Sequence, residues 1–453
     1  MKIYNSFTQT KEEFVPRETG KVGIYVCGIT TYDYLHLGHA RMLVAFDIVT
    51  RYLRSQGLAV EYVRNITDID DKIINRAKEN GEVFTDLTTR FIDAMHEDEA
   101  ALGVLPPDQE PRATGHIGEI VALIQTLIEK DNAYPAANGD VYFSVSSFAD
   151  YGKLSKKKMD ELLDGARIAI GELKRDPRDF VLWKRAEEGG VGWDSPWGYG
   201  RPGWHIECSA MSSCCLGDTF DIHGGGSDLL FPHHENEIAQ SCSLGSEDEF
   251  AQIWMHNEML QVNGKKMSKS LGNFFSPKDL IDQGISGDSL RLMYLGTHYR
   301  KPLDWTENKV EESQKLQIKW EKLVANCESG VISEKVLNAV ADDLNTPLAL
   351  SEMHKLAKSG NVKDLKASGG FLGLFDNPIS HKSETILPDE VQNLITELLN
   401  ERADARFKKD YAKADKLRDG FVKAGLIISD TENGIDWELG ENFDLKKLEA
   451  LKW

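Results

Sequence analysis

Long apolar runs, cysteines and positive charge are all scarce in this chain. No apolar stretch reaches the roughly 18 residues that a membrane-spanning helix needs, so no membrane partner is expected. Six cysteines in 453 residues do not make a disulfide framework; metal binding or ordinary burial in a reducing compartment fits them better. Lysine and arginine total 53 against 73 aspartates and glutamates, a formal net charge of -20. Taken alone, that deficit argues against a nucleic-acid partner, because phosphates demand local positive potential. A basic face can nevertheless act within an acidic protein. Internal repeats and low-complexity tracts are missing too. The opening segment, Met1 to Phe7, is followed by charged residues and lacks the apolar core of a signal peptide, so a cytoplasmic enzyme is the expectation. Apolar residues make up 41%, enough for ordinary cores, and the length suggests two to four domains.

Val22-Gly23-Ile24-Tyr25-Val26 reads as a short buried strand. A helix is predicted from about Gly38 to Ser55, with Met42, Phe46, Val49 and Leu53 on one apolar face and Gly57 as its C-terminal cap. Ala59-Val60-Glu61-Tyr62-Val63 reads as a second strand. Strand, helix and strand make a βαβ unit and hence a parallel sheet. The loop from Cys27 to Leu37 then lies at the carboxyl end of the first strand, where open α/β sheets bind ligands. Residues 116–200 break the pattern with a hairpin-like stretch around Asn138-Gly139-Asp140 and a lysine run at 156–158, and read as an insertion. After about 306 the pattern turns helical, with 310–326 amphipathic. Residues 376–388 contain two prolines and little periodicity, the marks of a linker. The expected class is α/β: a Rossmann-type parallel-sheet catalytic domain with an insertion, then a helical domain and a small C-terminal domain. The boundaries are 1–115 and 201–255 for the two catalytic halves, 116–200 for the insertion, 256–305 for a lysine-motif region, 306–385 for the helices and 389–453 for the tail.

Two cysteines, Cys27 and Cys208, sit in polar segments that also carry glycine and aromatic residues. Most lone cysteines are buried packing, the reading that suits Cys214, Cys215, Cys242 and Cys327. Phe231-Pro232-His233-His234-Glu235-Asn236-Glu237 offers nitrogen and oxygen donors. Together these suggest one zinc site, since zinc takes thiolate, imidazole and carboxylate ligands. His233 and Glu237 are i, i+4 and share a helix face if Pro232 marks the helix start; His234 and Glu237 at i, i+3 are the competing pair. The plain alternative makes these histidines satisfied core or surface residues and Glu237 a solvated helix face.

His36-Leu37-Gly38-His39 opens the first helix, where backbone N–H groups and the dipole favour a phosphate. His36 and His39 add donors, and Gly38 permits close approach of a nucleotide. Four residues alone are weak evidence. Lys266-Met267-Ser268-Lys269-Ser270, bounded by Gly264 and Gly272, is a stronger sign. Two lysines on a mobile loop can close over a triphosphate. His223-Gly224-Gly225-Gly226-Ser227-Asp228 adds a tight loop in which Gly225 allows close approach and Asp228 can accept from a ribose hydroxyl, or it is only a sharp turn.

These strings are similar to those of the class I aminoacyl-tRNA synthetases and, among them, the chain resembles the cysteinyl family. The likeness runs through Tyr25-Val26-Cys27-Gly28, then 63–72, 174–180, 193–198, 201–209, 223–240 and 266–273, in order and over almost the whole length. The resemblance implies that Cys27, Cys208, His233 and Glu237 hold one Zn2+ per chain. It implies that His36, His39, Lys266 and Lys269 serve catalysis on ATP, with Mg2+ accompanying it. Gly28, Thr67 and Trp204 fall where that family binds cysteine; without the resemblance, Thr67 reads as a turn residue and Trp204 as core packing. The stretch 342–347 resembles part of the family's helical domain, and 402–437 its anticodon-binding end. Leu37, Ile29, Thr31 and Glu258 stand where isoleucine, proline, valine and glycine are commoner, and none removes a catalytic group.

The reaction so implied is ATP-dependent activation of L-cysteine and its transfer to tRNA(Cys). A soft thiolate prefers zinc to a neutral hydroxyl, so the metal itself separates cysteine from serine and no editing domain is expected. Between Glu401 and Gly425 stand eight Lys or Arg and five Asp or Glu, a local +3 that suits phosphate contact, with Trp437 as a stacking surface. Two other classes share parts of the pattern. A zinc-dependent cysteine ligase acting on a small amine acceptor, as in mycothiol biosynthesis, would share the first half; a non-catalytic RNA-binding homologue would keep the fold. The tail counts against the former, and the intact histidines and lysines against the latter.

Overall fold

Ile24, Tyr25 and Val26 are fully buried, as strands covered on both faces of a parallel sheet must be. They belong to β1 (Lys21–Thr30), which is followed by α1 (Leu37–Ser55) and β2 (Ala59–Thr67). The chain returns to this sheet much later, through α2 (Trp204–Leu216), β3 (Phe220–Gly226), α3 (Glu235–Cys242) and β4 (Ala251–Asn257). All four strands are parallel, in the order β4-β3-β1-β2. From β1 the connection runs to β2 on one side, and the next strand, β3, joins on the other. The crevice at the carboxyl ends of β1 and β3 is therefore a topological switch point, where such sheets bind ligands.

The computed structural model describes residues 1–157, 173–245, 250–267, 271–375, 389–408, 410–431, 434–439 and 444–451. The linker expected at 376–388 lies outside them, as do Ser268, Lys269 and Ser270. The chain divides into two compact units, Met1–Ile379 and Ser380–Trp453.

α1 forms for the reason its spacing suggests: Met42, Phe46, Val49 and Leu53 are all buried. Its start is unusual, because histidines replace the common Ser, Thr, Asp or Asn cap. His36 Nδ1 accepts from the His39 N–H at 3.1 Å, and His39 Nδ1 accepts from the His36 N–H at 3.4 Å. Gly57, just past the helix, takes φ +79°, which glycine adopts without a Cβ penalty.

Between β2 and α2 lies the segment that carries the insertion. The helix Ile117–Glu129 packs on an antiparallel sheet of Ala133–Pro135, Val141–Phe143, Phe180–Arg185 and Gly200–Pro202. Ile120, Ile124, Leu127, Phe143, Leu182 and Trp183 form its core. Beyond β4, a small sheet pairs Leu260–Val262 with Lys265–Lys266 and Leu303–Trp305, so Lys266 rides on a tight hairpin that turns at Gly264, φ +71°. Four helices follow: Glu307–Val324, Glu334–Ala341, Thr346–Ser359 and Val362–Phe371. The first begins three residues before the amphipathic stretch expected at 310–326, because Thr306 caps it. These helices are tied back to α1 by a buried arginine. Arg291 pairs with Asp47 of α1 and donates to the carbonyls of Leu372 at 2.7 Å and Leu102 at 3.1 Å. The unit Ser380–Trp453 has its own core of Leu394, Ile395, Leu398, Leu417, Phe421 and Leu448 on helices Asp389–Phe407, Tyr411–Lys423 and Leu445–Glu449. Trp437 lies on its strand Gly434–Leu439; the side chain is outside the described residues. Among the described residues no helix is long and apolar enough to cross a membrane.

Candidate functional site

The β1–β2 register breaks between Val26 and Ile29. Such a bulge re-aims side chains, and here it frees Cys27 and Gly28 from the ladder. Gly28 has no room for a side chain: a Cβ would lie 1.6 Å from the carbonyl oxygen of Asn65 on β2. Its N–H donates to Asn65 Oδ1 at 2.9 Å. The close approach sets Cys27 against the carboxyl end of the neighbouring strand.

Four buried side chains from separate elements then converge. Cys27, Cys208 of α2, His233 and Glu237 of α3 place one donor atom each within 4.8 Å of all the others. Cys27 Sγ lies 3.2 Å from Glu237 Oε1, and His233 Nε2 lies 3.1 Å from the same oxygen. A second set, Cys27, His223, His234 and Glu237, meets the same limit and shares two members with the first. His223 comes from β3, where the parallel register places it beside Tyr25, whose ring stacks on it at 5.4 Å. The two histidines differ in their distance to Glu237 Oε1: 3.1 Å for His233, 4.0 Å for His234. Pro232 does not start the helix. Phe231 is extended, Leu230–His234 makes a wide turn, and α3 begins at Glu235 with His234 as cap.

The buried groups perturb one another strongly. Burial, with Cys208 and Glu237 beside it, pushes the Cys27 thiol well up. A hydrogen bond from Cys27 outweighs burial at Cys208 and holds that thiol down, to about 6. Burial would lower the His233 imidazole, but Glu237 and Cys208 raise it to about 10. Glu237 stays well below the usual carboxylate range despite burial, because His223 and His233 face it. Two thiolates and a carboxylate crowded in one dry space would be costly together unless a cation compensated them. Soft sulfur, imidazole and one carboxylate are also a donor set that suits zinc.

The remaining pocket residues fall around this cluster. Trp204, at the first turn of α2, is 40% exposed, and its ring lies 4.2 Å from that of His233. It is therefore not core packing. Thr67 ends β2, is buried, and donates to Glu207 Oε2 at 3.3 Å. Sequence reasoning missed the residues behind the donors. His205 Nδ1 lies 2.8 Å from His233 Nδ1, leaving Nε2 for the cluster. His256 Nε2 lies 2.8 Å from His234 Nδ1, and its other nitrogen reaches Ser6 at 2.8 Å. A histidine in the otherwise apolar run Ile253-Trp254-Met255-His256 was the available signal. Asn65, which holds Gly28, is also 3.7 Å from Cys208 Sγ.

The His36–His39 segment meets the segment that follows Lys266. The Leu37 N–H donates to the Phe275 carbonyl at 3.1 Å, and the His36 ring lies edge-on to Phe274 at 5.5 Å. Both aromatics follow Lys266 closely in sequence, and Lys266 is exposed on its hairpin. His39 is half-buried, and desolvation together with His36 keeps its imidazole well below the ordinary value. A Cβ at Gly38 would meet the His36 ring at 2.9 Å. At Gly225 it would meet His234 and Leu229 at 3.0 Å, and at Gly226 it would meet Asp228 Oδ1 at 2.4 Å. Asp228 itself is exposed. Lys269 lies outside the described residues.

Residues 13–315 match the catalytic domain of class I (C) tRNA synthetases, and 335–369 match the DALR domain. A cysteine–tRNA ligase of Marinobacter nauticus is 50% identical across 98% of this chain and 100% of its own length. That of Hahella chejuensis is 49% identical over 97% and 99%, and that of Pseudomonas aeruginosa 47% identical over 97% and 100%. The chain belongs to the cysteine–tRNA ligase family of class I tRNA synthetases. Solved structures agree on the fold. A Mycobacterium tuberculosis methionyl-tRNA synthetase in complex with methionyl-adenylate superposes over 78% of this chain and 90% of its own, with a TM-score of 0.57 at 14% identity.

In the C-terminal unit, part of the basic excess is matched internally. Arg418 pairs with Asp415 and Asp419 at 3.1 and 3.0 Å, Lys413 with Glu401 at 3.1 Å, and Arg402 is buried.

Proposed function

We propose that the chain activates L-cysteine with ATP, forming cysteinyl-adenylate and pyrophosphate, and transfers the cysteinyl group to the 3′ end of tRNA(Cys). The observation that carries this reading is the buried thiol, imidazole and carboxylate cluster at the sheet's switch point, at the carboxyl edge from which the His36–His39 helix starts. Full-length similarity to cysteine–tRNA ligases supports it.

Cys27, Cys208, His233 and Glu237 would hold one Zn2+. Bound there, zinc supplies a strong preference for a thiolate over a hydroxyl, where pocket shape alone discriminates by roughly a hundredfold. Of the two donor sets, this one has two thiols against one, which favours it for a soft-ligand metal. His205 positions His233 by engaging its other ring nitrogen. Trp204, Thr67 and the Gly28 backbone enclose the amino acid. The start of α1 and Gly38, Gly225 and Asp228 bind ATP with its Mg2+. The substrate carboxylate attacks the α-phosphorus, and the leaving pyrophosphate takes its electrons. His36, His39, Lys266 and Lys269 stabilise the charge that develops there. Reduced thiols at the centre of the site fit a cytoplasmic setting.

The DALR match and the unit beyond it are parts that a small-acceptor ligase does not need. Incubation with ATP, radiolabelled cysteine and unfractionated tRNA tests the reading: label should appear on one tRNA species as a base-labile ester. Label passing only to a small amine, with none on tRNA, would overturn it.

A further inference from the structure

α1 carries a buried arginine that no catalytic motif claims. Arg41, one turn beyond His36 to His39, is 2% exposed. Among the described residues its guanidinium hydrogen-bonds to no carboxylate. It donates instead to main-chain carbonyls more than 200 positions away. Nη1 reaches Glu258 O at 2.7 Å and Met259 O at 2.9 Å. Nη2 reaches His298 O at 3.1 Å and Tyr299 O at 3.4 Å, and also bonds to Lys301 O.

Those carbonyls are not scattered. Glu258 and Met259 immediately precede the strand Leu260–Val262, and His298 to Lys301 precede Leu303–Trp305. Both strands belong to the small sheet whose third member, Lys265–Lys266, presents Lys266. One planar fork thus grips both roots of the sheet that bears one nucleotide motif, while its own helix bears the other. A buried cation whose hydrogen bonds all go to carbonyls is a costly way to fill space; a leucine or methionine would pack there more cheaply. Lysine could not copy it, because a single ammonium lacks the rigid fork that reaches five carbonyls at once.

We propose that Arg41 is a positioning residue for the nucleotide half of the reaction, holding the Lys266 hairpin in register with the His36–His39 helix start. The inference rests on the assignment of these two motifs to ATP. It is separate from amino-acid recognition, because none of Arg41's contacts is to the thiol and histidine cluster.

The test uses the full chain as wild type, Arg41→Lys and Arg41→Met. Two affinities are read. Cysteine binding is followed in cobalt-substituted protein by the sulfur-to-cobalt charge-transfer band, without ATP. ATP use is followed as KM and kcat in cysteine-dependent pyrophosphate exchange. Misplacement of a reacting group by about an ångström costs on the order of a hundredfold. The expected result is a roughly ten- to hundredfold loss in kcat/KM for ATP in Arg41→Met, a smaller loss in Arg41→Lys, and cysteine titrations unchanged within about twofold. Amide hydrogen exchange at 260–266 should quicken in Arg41→Lys, which reads the hairpin directly even if Arg41→Met does not fold. Equal losses in cysteine and ATP affinity would reduce Arg41 to general stability and overturn the proposal. So would wild-type ATP kinetics in both variants. A wild type that shows no exchange with cysteine would instead refute the ATP assignment itself, whatever the variants do.

Discussion

Replacing Gly28 with alanine adds one methyl group and should disable the site. The new Cβ would sit 1.6 Å from Asn65 O and 2.7 Å from Asn65 C, both backbone atoms of the central sheet. An ordinary carbon–oxygen contact is about 3.3 Å, so β1 and β2 must part locally by well over an ångström. No rotamer change can absorb that, because neither partner is a side chain. Overpacking of this kind costs about 1–3 kcal/mol, and at roughly 2–4 °C per kcal/mol the melting temperature should fall by several degrees. The functional loss should be larger than the stability loss. Gly28 follows Cys27 directly, and metal–ligand distances tolerate only about ±0.2 Å. Thermal melting and elemental analysis on the same preparation check both effects. The expected outcome is a folded protein that carries well under half the zinc of wild type. A Gly28→Ala variant with unchanged melting and full zinc would show that the strands yield freely, and the steric account of the bulge would be wrong.

Other substitutions probe other layers. Wild type should carry one zinc per chain and Cys208→Ser should lose most of it by elemental analysis; a metal-free wild type would sink the donor assignment. Asp47→Ala strands the buried Arg291 guanidinium, and thermal melting should register a loss of about 3–5 kcal/mol. Burial pushes the Asp98 carboxyl up to about 7, with Lys278 opposing and Glu97, Asp279 and Glu99 adding. The folded state therefore binds this proton more tightly than the unfolded chain does, so stability is full below the unfolded value of about 3.9 and is lost as pH rises through about 7. Asp98→Asn should melt higher than wild type at pH 8 and equally at pH 4; equal melting at both would refute the shift. Removing 380–453, a unit with a separate core, should leave cysteine-dependent pyrophosphate exchange intact while tRNA charging collapses. A truncated chain that charged tRNA normally would remove the anticodon role from the tail.

Much of the framework was legible because it depends on local spacing. The apolar face of α1 and the βαβ unit each follow from residues a few positions apart, and each stands where expected. The donors Cys27 and Cys208 could be singled out, but nothing in their spacing said that they would meet. That depends on the parallel register, which sets Tyr25 beside His223, and on the bulge at Cys27, which no periodicity announces. Spacing also left His233 and His234 open, since both lie within reach of Glu237 on one turn. The supporting residues stayed hidden for the same reason. Arg41, Asn65, His205 and His256 act through partners from 22 to over 200 positions away, so each looks ordinary in its own segment. Within the +3 stretch, Arg418 and Lys413 are turned toward neighbouring carboxylates, a pairing that a charge count does not show.

The most direct measurement of the central claim is amino-acid-dependent pyrophosphate exchange by the zinc-loaded full chain, with cysteine and serine compared at matched concentrations. A metal that reads the thiol predicts robust exchange with cysteine and a kcat/KM for serine lower by far more than the roughly hundredfold that a shape-selective pocket supplies. Exchange with serine within that hundredfold, or exchange with cysteine that survives complete removal of the metal, would contradict it.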